Sequence, residues 1–239
     1  MKRCLLFSIC HLLLALALAA PVQALHAGPA TLGVVAASQA ESNAIPSPSV
    51  WQGIPSIVTG IDSMTSGADG VGTDSAWPTW LQARLPGNSA TIYNTAIGGR
   101  TVQQGLDAFA SESAPHLSAG SLYFWYGGNN DFPGTASAVY ATAKSTWAAA
   151  RATGAKVIVI LNLADPSKDS STSYDITRVA FRALVVGDPT QYDLVIDPSP
   201  WVPLNSVFFV GGGAHLTTLG AQTLNLTIYN AVNRSGLLP

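Results

Sequence analysis

Apolar residues recur along this chain in two rhythms. Short runs rich in β-branched and aromatic residues end in glycine or in Asp-Pro. They are Pro55–Thr59 before Gly60, Ala90–Ile97 before Gly98-Gly99, Ser121–Tyr126 before Gly127-Gly128, Lys156–Leu163 before Asp165-Pro166, and Asp193–Ile196 before Asp197-Pro198. Several are continuously apolar, as expected of strands buried on both faces of a parallel sheet. Between them lie segments with helical spacing. In Thr135–Thr153 the residues Val139, Ala143, Trp147 and Ala150 share one face, and Asp74–Leu85, Thr101–Ser111, Tyr174–Val186 and Thr217–Val232 read as further helices. Strand alternates with helix throughout, which predicts an α/β fold: a three-layer α/β/α sandwich around a five-stranded parallel sheet. In such sheets the working residues lie on loops beyond the carboxyl ends of the strands.

The first residues follow a different pattern. Met1-Lys2-Arg3 is a short positive start, Cys4 to Ala20 is almost wholly apolar, and small-residue sites follow at Val22-Gln23-Ala24 and Leu25-His26-Ala27. This order reads as a secretory signal peptide over residues 1–24, cleaved after Ala24 or Ala27; an uncleaved anchor is the alternative. The mature protein is expected to be secreted or periplasmic, without stable membrane insertion. Residues 25–53, mostly Ala, Ser, Pro and Gly with no sustained period, read as a linker, and 54–239 as one domain.

Composition removes several chemistries. Both cysteines, Cys4 and Cys10, lie in the signal segment, so the mature chain has no thiol for a disulfide, a zinc-thiolate site or a cysteine nucleophile. Charged residues are 10% of the chain and the formal net charge is −2, with no basic patch to bind nucleic acid. Past Ala27 the only histidines are His116 and His215, and no carboxylates stand at ligand spacing, so no metal is expected. No glycine-rich nucleotide loop opens a helix, and no cofactor is implied. Asn225-Leu226-Thr227 and Asn233-Arg234-Ser235 match glycosylation acceptors, relevant only in a eukaryotic secretory pathway.

Four strand-end loops carry candidate chemistry. Ser63, in Gly60-Ile61-Asp62-Ser63-Met64-Thr65, is placed to present a hydroxyl above the sheet. Gly98-Gly99 leaves backbone N–H groups open to an approaching oxyanion. Asn129-Asn130 offers carboxamide donors, and His215 sits on the glycine-rich loop before the last helix, where a general base reaches the first strand's serine. For each alone, a turn or structural role is the ordinary reading.

Taken together in order, Asp62-Ser63-Met64-Thr65, Asn94 through Thr101, Gly128-Asn129-Asn130-Asp131 and Gly212-Gly213-Ala214-His215 resemble the four blocks of the SGNH (GDSL-type) hydrolases. The likeness spans about residues 55–232. It implies a flavodoxin-like sheet of order 2-1-3-4-5, Ser63 as nucleophile and His215 as base. It also implies an oxyanion hole from the Ser63 and Gly99 N–H groups and the Asn130 side chain. Three positions depart from the pattern: Ile61 replaces a glycine, Ala96 replaces a glycine, and Gly212 stands where the family has the triad acid. Asp197, or a backbone carbonyl, is then the candidate to orient His215. Trp77, Trp80, Trp125 and Trp201 either flank the site or pack in the core.

The expected activity is hydrolysis of a small-molecule or polysaccharide ester through an acyl-enzyme, by an acetyl or short-chain acyl esterase or a lipase-like enzyme. A thioesterase or peptidase using the same serine, and a non-catalytic glycan- or acyl-binding descendant lacking the acid, are the alternatives.

Overall fold

The computed structural model describes residues 51–67, 76–85, 90–168, 170–205, 207–210 and 213–238. The signal segment, the linker up to residue 50 and Gly212 lie outside the described residues. The strands are β1 (Ser56–Ile61), β2 (Thr91–Asn94), β3 (Leu122–Tyr126), β4 (Lys156–Ile160) and β5 (Leu194–Ile196). All pair in parallel, in the order β2-β1-β3-β4-β5. The helices are α1 (Ser63–Ser66), α2 (Trp77–Arg84), α3 (Val102–Glu112), α4 (Ala136–Ala152), α5 (Ser173–Gly187) and α6 (Thr218–Arg234).

Side chains alternate across a strand, so each central strand feeds two cores. Ile57, Phe124, Ile158 and Ile196 pack with Trp77 and Leu81 of α2 and with Leu224 and Ile228 of α6. Val58, Trp125, Val157, Val159 and Val195 pack with Phe109 of α3, Trp147 of α4 and Phe181 of α5. This is the predicted three-layer sandwich. Trp77 and Trp125 are buried and stack edge-on, against Phe124 and Trp147 respectively.

Two expectations change. Trp51, assigned to the linker, is fully buried, lies parallel to Tyr229 at 5.5 Å and donates its indole N–H to Asn233. The packed domain therefore already includes Trp51, a single residue without the periodicity that marks an element. β2 is also shorter than Ala90–Ile97, although the Thr95 and Ile97 N–H groups still donate to Thr59 and Ile61 of β1. Of the two glycosylation motifs, Asn225 is buried, accepting from Arg84 and donating to the Trp77 carbonyl. Among the described residues no helix is long and apolar enough to cross a membrane.

Candidate active site

The site forms at the carboxyl ends of β1, β2 and β3. β1 leads through Asp62 into the single turn α1, a helix too short to show a period in the sequence. Asp62 is its N-cap: one carboxylate oxygen accepts the Met64 N–H at 3.0 Å, and the backbone carbonyl accepts from Thr65 and Ser66. Ser63 thus occupies the first helical position, half-buried, with its N–H donating to no other described residue.

Ile61 explains how the chain accommodates its departure from the family glycine. A Cβ at Gly127 would lie 2.6 Å from Ile61 Cγ2, and one at Gly105 would lie 2.9 Å from Cδ1. The bulk gained at 61 occupies space that those two glycines leave free, so the strand end keeps its course and Ser63 its place.

His215 arrives from the far end of the chain on a tightly bonded loop. Val210 donates to the His215 carbonyl at 2.8 Å, Thr217 donates to the Phe208 carbonyl at 2.9 Å, and Phe209 bridges Leu216 in antiparallel fashion. The Thr217 hydroxyl donates to the Val207 carbonyl and caps α6 by accepting the Gly220 N–H. A side chain at Gly220 would meet the Phe208 carbonyl oxygen at 2.3 Å, so the loop lies directly against the helix start. The result is a hydrogen bond of 2.9 Å between His215 Nε2 and Ser63 Oγ, across 152 residues of sequence.

The other loops are joined to the serine turn by polar side chains arranged around the buried Asp62. Asp62 is fully buried; its second oxygen accepts from both the backbone and side-chain nitrogens of Asn129, at 3.3 and 3.2 Å. Asn129 in turn accepts from Asn162 and from the Tyr174 hydroxyl. The Asn94 side chain donates to the Thr65 carbonyl and accepts from Thr59 and the Ala96 N–H. Asn130 Nδ2 donates to the Arg100 carbonyl at 3.0 Å, and Asp131 accepts the Val102 N–H at the start of α3. An amide nitrogen carries two hydrogens, so the Arg100 contact anchors the Asn130 side chain and leaves a second donor. Gly99, exposed with φ 76°, keeps the backbone in the left-handed region beside it. Its N–H, like that of Ser63, donates to no other described residue.

Burial pushes the Asp62 carboxyl up to about 7, against the lowering effect of the Met64 and Asn129 donors; the neighbouring Asp131 adds to the rise. Asp131 is itself raised by burial, opposed by the Val102 N–H. In the sequence Asp62 and Asn94 stand only as letters of motifs, and Asn129 only as a candidate carboxamide donor. Their work as struts between loops depends on contacts up to 67 residues apart, which no local pattern displays.

Asp197, the sequence's candidate to orient His215, is bound to Arg182 and Ser199. Burial works to raise its pKa, yet Arg182 at 2.7 Å and the Ser199 N–H hold it below the usual carboxylate range. One oxygen is bound to each. His116, the other histidine of the domain, stacks on Tyr93 at 3.9 Å, apart from Ser63. The described residues contain no group of three or more His, Cys, Asp or Glu arranged to hold a metal ion.

The sequence profile of the GDSL-like Lipase/Acylhydrolase family matches residues 62–222, running from Asp62 past His215. No curated protein is similar enough in sequence to count as a match. Solved structures share the fold at low identity. A member of the lipolytic G-D-S-L family from Veillonella parvula superposes with a TM-score of 0.65 at 20% identity, covering 76% of this chain and 99% of its own. TesA gives 0.59 at 22%, covering 75% and 98%. An acetylxylan esterase from Geobacillus stearothermophilus gives 0.61 at 14%, covering 76% and 94%.

Proposed function

The chain belongs to the GDSL-like lipase/acylhydrolase family and is an ester hydrolase; we propose that it is exported and that it works through a Ser63–His215 pair. The observation that carries the proposal is the 2.9 Å contact between His215 Nε2 and Ser63 Oγ at the head of the parallel sheet. With its proton on Nδ1, the neutral imidazole accepts the Ser63 proton as Oγ attacks the ester carbonyl. Charge then develops on the carbonyl oxygen. The Ser63 and Gly99 N–H groups and the Asn130 carboxamide are the donors we assign to it. The imidazolium returns the proton to the leaving alcohol, and the acyl-enzyme is hydrolysed by water activated by the same histidine.

The family's acid position is Gly212, and Asp197 is committed to Arg182. We therefore assign catalysis to the Ser63–His215 pair, with the imidazole carried by a hydrogen-bonded loop. Export rests on the Met1–Ala24 pattern. The test is hydrolysis of p-nitrophenyl acetate by the mature protein beside Ser63→Ala and His215→Ala. Activity lost in both variants supports the pair, while activity retained in Ser63→Ala removes the serine from the mechanism. A binding-only descendant would hold an ester without turning it over, and would hold it equally well as Ser63→Ala.

A further inference from the structure

Beside Ser63 and His215 the described residues enclose a small pocket. It is lined by Met64 of α1 and Gly67 at its end, Ala76 and Trp77 at the start of α2, Leu216 of the histidine loop and Ala221 of α6. The space it leaves for the centre of a water-sized group is about 10 Å³, which is room for about one water or methyl group. Met64, Ala76, Trp77, Leu216 and Ala221 are buried, between 1% and 8% exposed, and Gly67 is half-buried.

The walls are also fixed. The Met64 N–H is held by Asp62, and Trp77 packs edge-on against Phe124 at 5.7 Å while its carbonyl accepts from Asn225. Leu216 is bridged to Phe209, and the Ala221 N–H donates to the Thr217 carbonyl. A close-packed wall of this kind does not yield cheaply to an extra methylene.

The tetrahedral carbon on Ser63 Oγ carries three other substituents. The oxyanion belongs with the donors on the loops after β2 and β3, whereas the pocket is built from α1, α2, the histidine loop and α6 and is mainly apolar. The leaving oxygen must face His215 Nε2 to take its proton, and an alcohol larger than methanol does not fit a methyl-sized space. Only the acyl substituent remains for the pocket.

Resting on the Ser63–His215 reading, we propose that this pocket is the acyl site and that it restricts the enzyme to acetyl esters, with Met64 and Trp77 as the specificity-determining walls. The alcohol side is left outside this pocket. The substrate class is thus an acetylated alcohol, large or small, rather than a long-chain lipid ester.

The experiment is kcat/KM for the p-nitrophenyl esters of acetate, propionate, butyrate and octanoate, with wild type, Met64→Ala and Ala221→Val, each first confirmed as folded by its melting curve. The expected wild-type result is a fall of about tenfold or more at each step from acetate to propionate to butyrate, the discrimination a methyl-sized pocket gives per added methylene, with octanoate at background. Met64→Ala deepens the pocket and should raise the butyrate-to-acetate ratio by about tenfold. Ala221→Val fills it and should lower acetate turnover itself. Butyrate or octanoate turned over as well as acetate by the wild type overturns the inference while leaving the hydrolase reading standing. An unchanged chain-length profile in Met64→Ala also overturns it. Absence of Ser63-dependent hydrolysis on every ester, acetate included, overturns the Ser63–His215 reading and the inference with it.

Discussion

Replacing Asp62 by Asn separates the charge of the strut from its shape. Asp62 is fully buried, and burial raises its carboxyl from 3.8 to about 7. Between those values the unfolded chain has released this proton and the folded protein still holds it. The folded state then binds more protons, so this group's contribution to stability is full below about pH 4 and is lost as pH rises to about 7. Each pH unit in the window is worth about 1.4 kcal/mol, so on the order of 3 kcal/mol disappears between pH 5 and pH 7. The Asn variant has no such proton. Its amide keeps an acceptor for the Met64 N–H, but its NH₂ faces the two Asn129 donors, a mismatch costing about 1–3 kcal/mol. Asp62→Asn should therefore be clearly less stable than wild type at pH 5, and equal to it or more stable at pH 8. Urea denaturation at both pH values gives the difference directly, and other titrating groups cancel between the two proteins. An equal stability gap at pH 5 and pH 8 would refute the buried, proton-holding role argued for Asp62.

Other substitutions probe the loops around it. Asp197→Ala should leave kcat/KM within about an order of magnitude of wild type; a loss approaching the ~10⁴-fold seen when a triad acid is removed would return Asp197 to His215. Gly220→Ala places a Cβ 2.3 Å from the Phe208 carbonyl oxygen. It should cost about 1–3 kcal/mol by denaturation, and, by moving the loop that carries His215, it should lower kcat up to about 10²-fold; wild-type activity and stability would contradict that close approach. Gly127→Ala and Ile61→Gly should each destabilise, but the double variant should be better than their combined effect by on the order of 1 kcal/mol. Strict additivity in a denaturation cycle would show that Ile61 does not fill the space left by Gly127.

The sheet was legible because its central strands are apolar on both faces, as in Leu122–Tyr126 and Lys156–Ile160, a signal that needs no tertiary context. β2 was read too long. Thr95 and Ile97 continue to bond β1 and keep extended composition, while the regular strand stops at Asn94 where the loop begins to form the site. α1 was invisible because four residues carry no helical period, and its start depends on the Asp62 cap. The serine and histidine were legible as types at strand-end loops, and the structure brings them together. The fate of Asp197 was not legible. Its partner Arg182 lies on α5, and neither residue's sequence neighbourhood shows that they meet. Ile61 read as a defect in a motif because its compensation is divided between Gly105 and Gly127, far apart in the chain.

The claim that Ser63 is a nucleophile activated by His215 is tested most directly by a fluorophosphonate that traps active serines, followed by intact and peptide mass spectrometry. One adduct per chain on the peptide containing Ser63, absent in Ser63→Ala and formed much more slowly in His215→Ala, is the predicted result. Equal labelling of Ser63→Ala, or no labelling of the folded wild-type protein, would contradict it.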